Sequence, residues 1–128
     1  MNFIGLGTDI VNINRVKKII IRNKYFIKKI LHEKEVKILK QQKKKIDSSL
    51  LAKRFAAKEA VSKAIGYGFS NKIYLKNILV LHDEHGKPSI RLIGTTDVAL
   101  KKKFKSYKIL ISISDDKPWA IATALLLA

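Results

Sequence analysis

The chain has 128 residues, room for one domain of ordinary size, and 47% hydrophobic residues supply a core, which excludes disorder for want of apolar content. It contains no cysteine, which excludes disulfides, thiolate metal sites and cysteine nucleophiles together and fits a reducing compartment. Against 27 lysines and arginines stand 10 acidic residues, a net charge of +17 that favours polyanionic partners: nucleic acid, anionic lipid or an acidic protein.

Phe3 to Val11 reads as a buried strand carrying a glycine-spaced turn, Gly5-Leu6-Gly7, and ending in Asp9-Ile10. Asn12 caps a helix through about Arg22, with Ile13, Val16, Ile19 and Ile20 on one face. Phe26 to Leu31 and Glu33 to Lys44 continue the helical pattern into the charge run Lys43-Lys44-Lys45, a solvated end or loop. The clearest helix runs from Ser48 or Ser49 to Ile65. Asp47 and the serines offer capping oxygens at its start, and Gly66 stands where a left-handed C-terminal cap belongs. Tyr67 to Asn71 is a predicted loop.

The second half changes period. Asn77 to Asp83 and Ser89 to Ile93 read as two strands around the turn Glu84-His85-Gly86-Lys87-Pro88. Thr95 or Thr96 caps a short basic helix over Asp97 to Lys105. Lys108 to Ser114 alternates as a strand, breaks at Asp115-Asp116-Lys117-Pro118, and gives way to a last strand from Trp119 to Leu127. Helices first and hairpins later predict an α+β fold, a single domain over 1–128 with helices packed on a largely antiparallel sheet. The first nine residues lack a basic leader followed by a long apolar region. Stretches such as Ala120 to Ala128 are too short to span a bilayer, so a soluble, cytoplasmic protein is expected.

Acidic residues are scarce, so their positions are informative. Asp9 ends an apolar strand, and Glu59 lies mid-helix among Phe55, Ala56, Ala57 and Ala60. A carboxylate among small apolar residues needs a metal, a cation or a proton. Lys63 follows one turn on, roughly 6 Å away by helical pitch. Two carboxylates beside a lysine suit a Mg²⁺–phosphate site, since magnesium takes few protein oxygens and lets substrate phosphates complete its octahedron. Spacing alone also allows an ordinary i,i+4 pair at Glu59 and Lys63, and a capping role for Asp9 near Asn12. His32, His82 and His85 are not spaced as a metal cluster and read as surface or loop histidines.

Gly5-Leu6-Gly7-Thr8-Asp9-Ile10-Val11 followed by Arg15 resembles the N-terminal signature of the holo-acyl-carrier-protein synthases, a branch of the 4′-phosphopantetheinyl transferases. Arg54-Phe55-Ala56-Ala57-Lys58-Glu59-Ala60, with Lys63-Ala64, Gly66 and Gly68-Phe69, resembles the second signature. Gly86-Lys87-Pro88 matches the hairpin turn, and Ser112-Ile113-Ser114 through Ala120-Ile121-Ala122 the closing strand pair.

The resemblance implies a 4′-phosphopantetheinyl transferase-like fold and the transfer of phosphopantetheine from coenzyme A to a serine of an acidic acyl carrier protein, supporting fatty acid biosynthesis. It implies that Asp9 and Glu59 hold Mg²⁺ (or Mn²⁺) and that Lys63 stabilises phosphoryl charge. Arg54, Lys58, Lys63, Gly66, Lys87 and Pro88 would then face coenzyme A. Arg15, Arg22, Ile19 and Phe26 would dock the carrier, and the chain would form a homotrimer. Many members carry histidine where this chain has Asp115; others carry aspartate. The rival classes are a basic nucleic-acid-binding domain and a membrane-surface protein. Only four of the 27 basic residues are arginine (Arg15, Arg22, Arg54 and Arg91), and the aromatics are not clustered as a stacking platform.

Overall fold

The computed structural model describes residues 1–66, 68 and 72–128. Strand β1 (Phe3–Asn12) leads directly into helix α1 (Ile13–Arg22); α2 (Tyr25–Ile30), α3 (Glu33–Gln41) and the long α4 (Ser48–Ile65) follow. A short 3₁₀ turn over Leu75–Asn77 precedes the hairpin β2 (Ile78–His82) and β3 (Pro88–Leu92), then α5 (Gly94–Phe104), β4 (Lys108–Asp116) and β5 (Trp119–Leu127). The strands form two antiparallel sheets, one in the order β1-β5-β4 and one of β2 with β3.

The helix starts were legible. Asn12 Oδ1 accepts from the amides of Asn14 and Arg15, and Asp47 Oδ1 accepts from that of Leu50 at 2.9 Å. Gly66 closes α4 at φ 91°. At α5 the prediction fails. The helix begins at Gly94 without a side-chain cap, and Thr96, fully buried inside its first turn, donates to the carbonyl of Lys72 at 3.0 Å. Helix α3 stops at Gln41, three residues before the predicted end, with Lys43 at φ 56°. The predicted break after Ser114 is absent: β4 runs on through Asp116 before turning at Lys117-Pro118. The predicted loop over Tyr67 to Asn71 lies, apart from Gly68, outside the described residues.

The two N-terminal glycines form no turn. They sit within a continuous strand whose inner face packs on α4. A Cβ on Gly7 would stand 1.9 Å from the Ala60 carbonyl oxygen, and one on Gly5 2.0 Å from that of Ala64. Glycine is needed because helix backbone touches strand backbone there. Against these glycines α4 sets Ala56, Ala57, Ala60 and Ala64, all buried, while β5 contributes Ala120, Ala122, Ala124 and Leu126. Gly7→Ala is expected to lower stability by about 1–3 kcal/mol, as overpacking does, read from its chemical denaturation midpoint. An unchanged midpoint would contradict this close approach.

The strand is also buried on one face only. Gly7 and Val11 face the core, whereas Phe3, Leu6 and Ile10 are 57–61% exposed on the other face.

Candidate active site

Strand β1 and helix α4 bring the first group of predicted residues together. Lys63 Nζ donates to Asp9 Oδ1 at 3.1 Å and to the Thr8 carbonyl at 2.9 Å, tying the C-terminal half of α4 to the end of β1. Glu59, one turn back on the same face, is half-buried. Burial, and then the negative charge of Asp9, push its carboxyl above the ordinary carboxylate range; Lys63 opposes the shift. Lys63 thus neutralises Asp9, while Glu59 faces an acidic neighbour and an apolar helix. Two carboxylates with insufficient positive charge between them form a cation-seeking site.

Asp9 and Glu59 fit a magnesium ion, which keeps several waters and needs only one or two protein carboxylates besides substrate phosphates. Among the described residues no cluster of three histidine, cysteine or acidic side chains could hold a metal without such outside ligands.

The coenzyme A candidates do not form one cluster. Arg54 stands toward the N-terminal end of α4, in its second turn, and Gly66 just beyond its C-terminal end, 12 residues or roughly 18 Å apart at 1.5 Å per residue. Near the first end lies an open cavity of about 650 Å³, lined by Lys44, Lys45, Lys53, Arg54, His82 and Gly86 among others. Lys87 and Pro88 follow Gly86, whose φ of 81° makes the hairpin turn.

Lys58 does not face that cavity. It is fully buried, and its ammonium uses all three protons, on Glu35 Oε1 at 2.5 Å, the Ile30 carbonyl at 2.6 Å and the Leu75 carbonyl at 3.0 Å. Arg54 is almost as buried. It donates through Nη1 to Glu35 Oε2 at 3.2 Å and to the Val80 carbonyl, and approaches His82 Nδ1 through Nη2. Desolvation lowers the pKa of both cations, and Glu35 opposes the shift in each.

Glu35 is the residue that sequence reasoning missed. Fully buried, it also accepts from the amides of His32 and Val80, at 3.1 and 3.2 Å. A signal existed. Arg54 and Lys58 stand one turn apart among the alanines and leucines of α4, and two cations on a buried face require an anion. The histidines are not equivalent surface groups. His32 Nδ1 caps α3 by accepting from the Lys34 amide, and burial with nearby Arg54, Lys53 and Lys44 lowers the pKa of His82.

The candidate docking residues lie together. Arg15, Ile19 and Arg22 fall at i, i+4 and i+7 of α1, the arginines exposed and Ile19 half-buried. Phe26 of α2 meets Phe55 edge to face, with ring centroids 5.8 Å apart. Phe55 precedes Glu59 by one turn of α4, so this surface adjoins the carboxylate pair. Asp115 is an exposed residue paired with Ala120.

A small α+β fold with a carboxylate pair and a lysine where β1 meets α4 defines the class. The sequence profile of the 4′-phosphopantetheinyl transferase superfamily matches residues 5–124, and the chain belongs to this family. It is 41% identical to a holo-[acyl-carrier-protein] synthase of Orientia tsutsugamushi, over 97% of this chain and 96% of that one. Among solved structures, holo-[acyl-carrier-protein] synthase from Neisseria meningitidis superposes with a TM-score of 0.87 at 30% identity, covering 99% of this chain and all of the other. The Bacillus anthracis holo-(acyl-carrier-protein) synthase, solved in complex with coenzyme A (3′,5′-ADP), gives 0.76 at 32% identity over 97% of this chain and 96% of its own. The predicted family and α+β fold class both hold.

Proposed function

We propose that this chain is a holo-acyl-carrier-protein synthase, transferring 4′-phosphopantetheine from coenzyme A to a serine of an apo acyl carrier protein. The observation that carries this reading is the Asp9–Glu59–Lys63 group at the β1–α4 contact, in a chain of this family. The serine oxygen forms a bond to the β-phosphorus of coenzyme A. The bond from that phosphorus to the bridging pyrophosphate oxygen breaks, and 3′,5′-ADP leaves with the electron pair.

Asp9 and Glu59 would hold Mg²⁺, which supplies charge neutralisation on the pyrophosphate when bound. Lys63 sets the direction of Asp9 and keeps a cation beside the transferring phosphoryl group. One of the two carboxylates, or a water held beside them, would receive the serine proton. The cavity beside Arg54, ringed by Lys44, Lys45 and Lys53, supports binding of the nucleotide end. Arg54 and Lys58 contribute from below, by holding α4 against α3 and β2 through Glu35. Carrier docking on Arg15, Ile19, Arg22 and Phe26 belongs to the same proposal, as does work in the cytoplasm. No described helix is long and apolar enough to cross a membrane.

A homotrimer is part of this reading. Its support is the outer face of the three-stranded sheet, where Phe3, Leu6, Ile10, Leu110 and Ile121 are left exposed on either side of a Thr8–Thr123–Ser112 row, apolar side chains of the kind that subunit interfaces cover. Sedimentation velocity is expected to show trimers. The pair Leu6→Glu and Ile10→Glu should convert them to monomers with little transfer activity. Monomers in the unsubstituted protein would rule the assembly out.

The decisive experiment is intact-mass spectrometry of an apo acyl carrier protein incubated with the chain, coenzyme A and Mg²⁺, beside an EDTA control. A gain of one phosphopantetheine on the carrier serine, lost with EDTA, is the expected result. No gain with folded protein and several carriers overturns the assignment.

A further inference from the structure

His82 ends β2 and is the one exposed residue of that strand. Its ring lines the cavity of about 650 Å³, with Nδ1 3.5 Å from Arg54 Nη2. Arginine offers only donors, so Nδ1 presents its lone pair and the neutral ring carries its proton on Nε2. Arg54 cannot follow the ring, because its Nη1 is held by Glu35 and by the Val80 carbonyl. The other ring nitrogen, Nε2, has no hydrogen-bond partner among the described residues.

The charged groups around this ring come from three elements. Lys53 and Arg54 belong to α4, Lys44 and Lys45 to the segment before it, and Asp83 and Glu84 to the turn after β2. Lys44, Lys45 and Lys53 form no ion pair among the described residues. The acids are engaged: Asp47 accepts from the Leu50 amide, Asp83 from the amides of His85 and Lys87, and Glu84 faces His85. Burial, then Arg54, Lys53 and Lys44, hold the proton affinity of His82 down, and Asp83 opposes them. A dianion entering the cavity reverses that balance, since an opposite charge close by favours the protonated ring. The added proton can go only to Nδ1, where it meets the guanidinium of Arg54. The ring must then turn away, which frees two donors at once, Nδ1–H of His82 and Nη2–H of Arg54.

We infer that His82 is the residue with which this cavity recognises the 3′-phosphate of coenzyme A, taking a proton from solvent and turning from Arg54 as the phosphate enters. The inference rests on the transferase reading. A phosphate monoester suits the place because near neutral pH it is close to a dianion with three acceptor oxygens. His82 thereby separates coenzyme A from its dephospho form. Because binding takes up a proton, affinity for the phosphate falls as pH rises from the ligand-free to the higher bound-state value of His82.

The test is calorimetric titration of the full chain with 3′,5′-ADP and with AMP at about pH 7, in two buffers of different ionisation enthalpy, which counts the protons exchanged. Binding of 3′,5′-ADP should take up most of a proton more than binding of AMP. His82→Gln, an exposed change that spares the core, should abolish this difference. It should weaken 3′,5′-ADP about tenfold, the scale of one hydrogen bond to a charged group, and AMP far less. In transfer assays the same variant should show a raised KM for coenzyme A and a reduced preference over dephospho-coenzyme A. His85→Gln removes a histidine of the same hairpin that does not line the cavity, and should behave as the unsubstituted protein.

Equal proton uptake in the unsubstituted protein and in His82→Gln would overturn this role. So would a loss of equal size for AMP, which would place His82 at the base or ribose, or a failure of the unsubstituted chain to bind 3′,5′-ADP. If transfer to a carrier persists in any of these cases, the transferase reading stands. If the chain modifies no carrier yet shows the expected uptake, the transferase reading falls and His82 remains a ligand for this phosphate.

Discussion

Glu59→Gln is expected to reduce phosphopantetheine transfer by at least about a hundredfold, the upper range for losing even a supporting partner of a metal ligand, while the protein melts at an unchanged or higher temperature. The two halves of this expectation share one cause. Burial and Asp9 both disfavour the charged form of Glu59, so the fold gains nothing from its ionisation. Glutamine keeps the shape and removes that charge, which relieves the folded state. A cation at the same place needs the charge, because Lys63 already neutralises Asp9.

The sign also fixes a pH dependence. With its pKa raised in the folded state, Glu59 holds its proton more firmly in the native than in the unfolded chain. Its contribution to metal-free stability therefore falls as pH rises from the unfolded value, through the window up to the raised folded value. In Glu59→Gln that component disappears, and saturating Mg²⁺ should suppress it in the unsubstituted protein. Turnover and thermal melts with and without Mg²⁺ measure both effects. Near-normal turnover in the variant would remove Glu59 from the metal site. A large drop in melting temperature would make it a structural residue instead.

Much of this arrangement was legible in the sequence where the governing physics is local. Asn12 and Asp47 cap the helices they were expected to cap, because side-chain oxygens reach amides two or three residues on. Scarcity made Asp9 and Glu59 stand out, and the family signature supplied their partnership, which i,i+4 spacing could not. What escaped was tertiary. Gly5 and Gly7 resembled a turn because glycine serves turns and close backbone approaches alike, and only the placement of α4 decides between them. Thr96 was one of two threonines expected to cap its helix, yet its hydroxyl is used on Lys72, 24 residues back in the chain. Glu35 lies in Glu33-Lys34-Glu35, which in isolation describes a solvated helix start; its partners come from α4, 19 and 23 residues later.

Glu35→Ala is the substitution expected to harm the fold most. The carboxylate receives four hydrogen bonds, two of them from buried cations whose ionised forms burial already disfavours. Alanine would leave Arg54 and Lys58 charged, desolvated and uncompensated, a loss of about 3–5 kcal/mol from a total that for small domains is about 5–15 kcal/mol. The melting temperature should fall by on the order of 10–20 °C. Lys58 offers the diagnostic. Burial depresses its folded pKa, so the unfolded chain binds more protons below the ordinary lysine value and stability rises with pH there. Without Glu35 to oppose that depression, the folded value drops further and the rise should begin at lower pH. Denaturation midpoints followed from about pH 7 to about pH 10 should thus climb more steeply in Glu35→Ala than in the unsubstituted protein. Combining it with Lys58→Met removes the stranded ammonium, and should both recover much of the lost stability and flatten the slope. If the double variant is instead no more stable than Glu35→Ala and keeps the steep slope, the burden lies elsewhere than on the buried lysine.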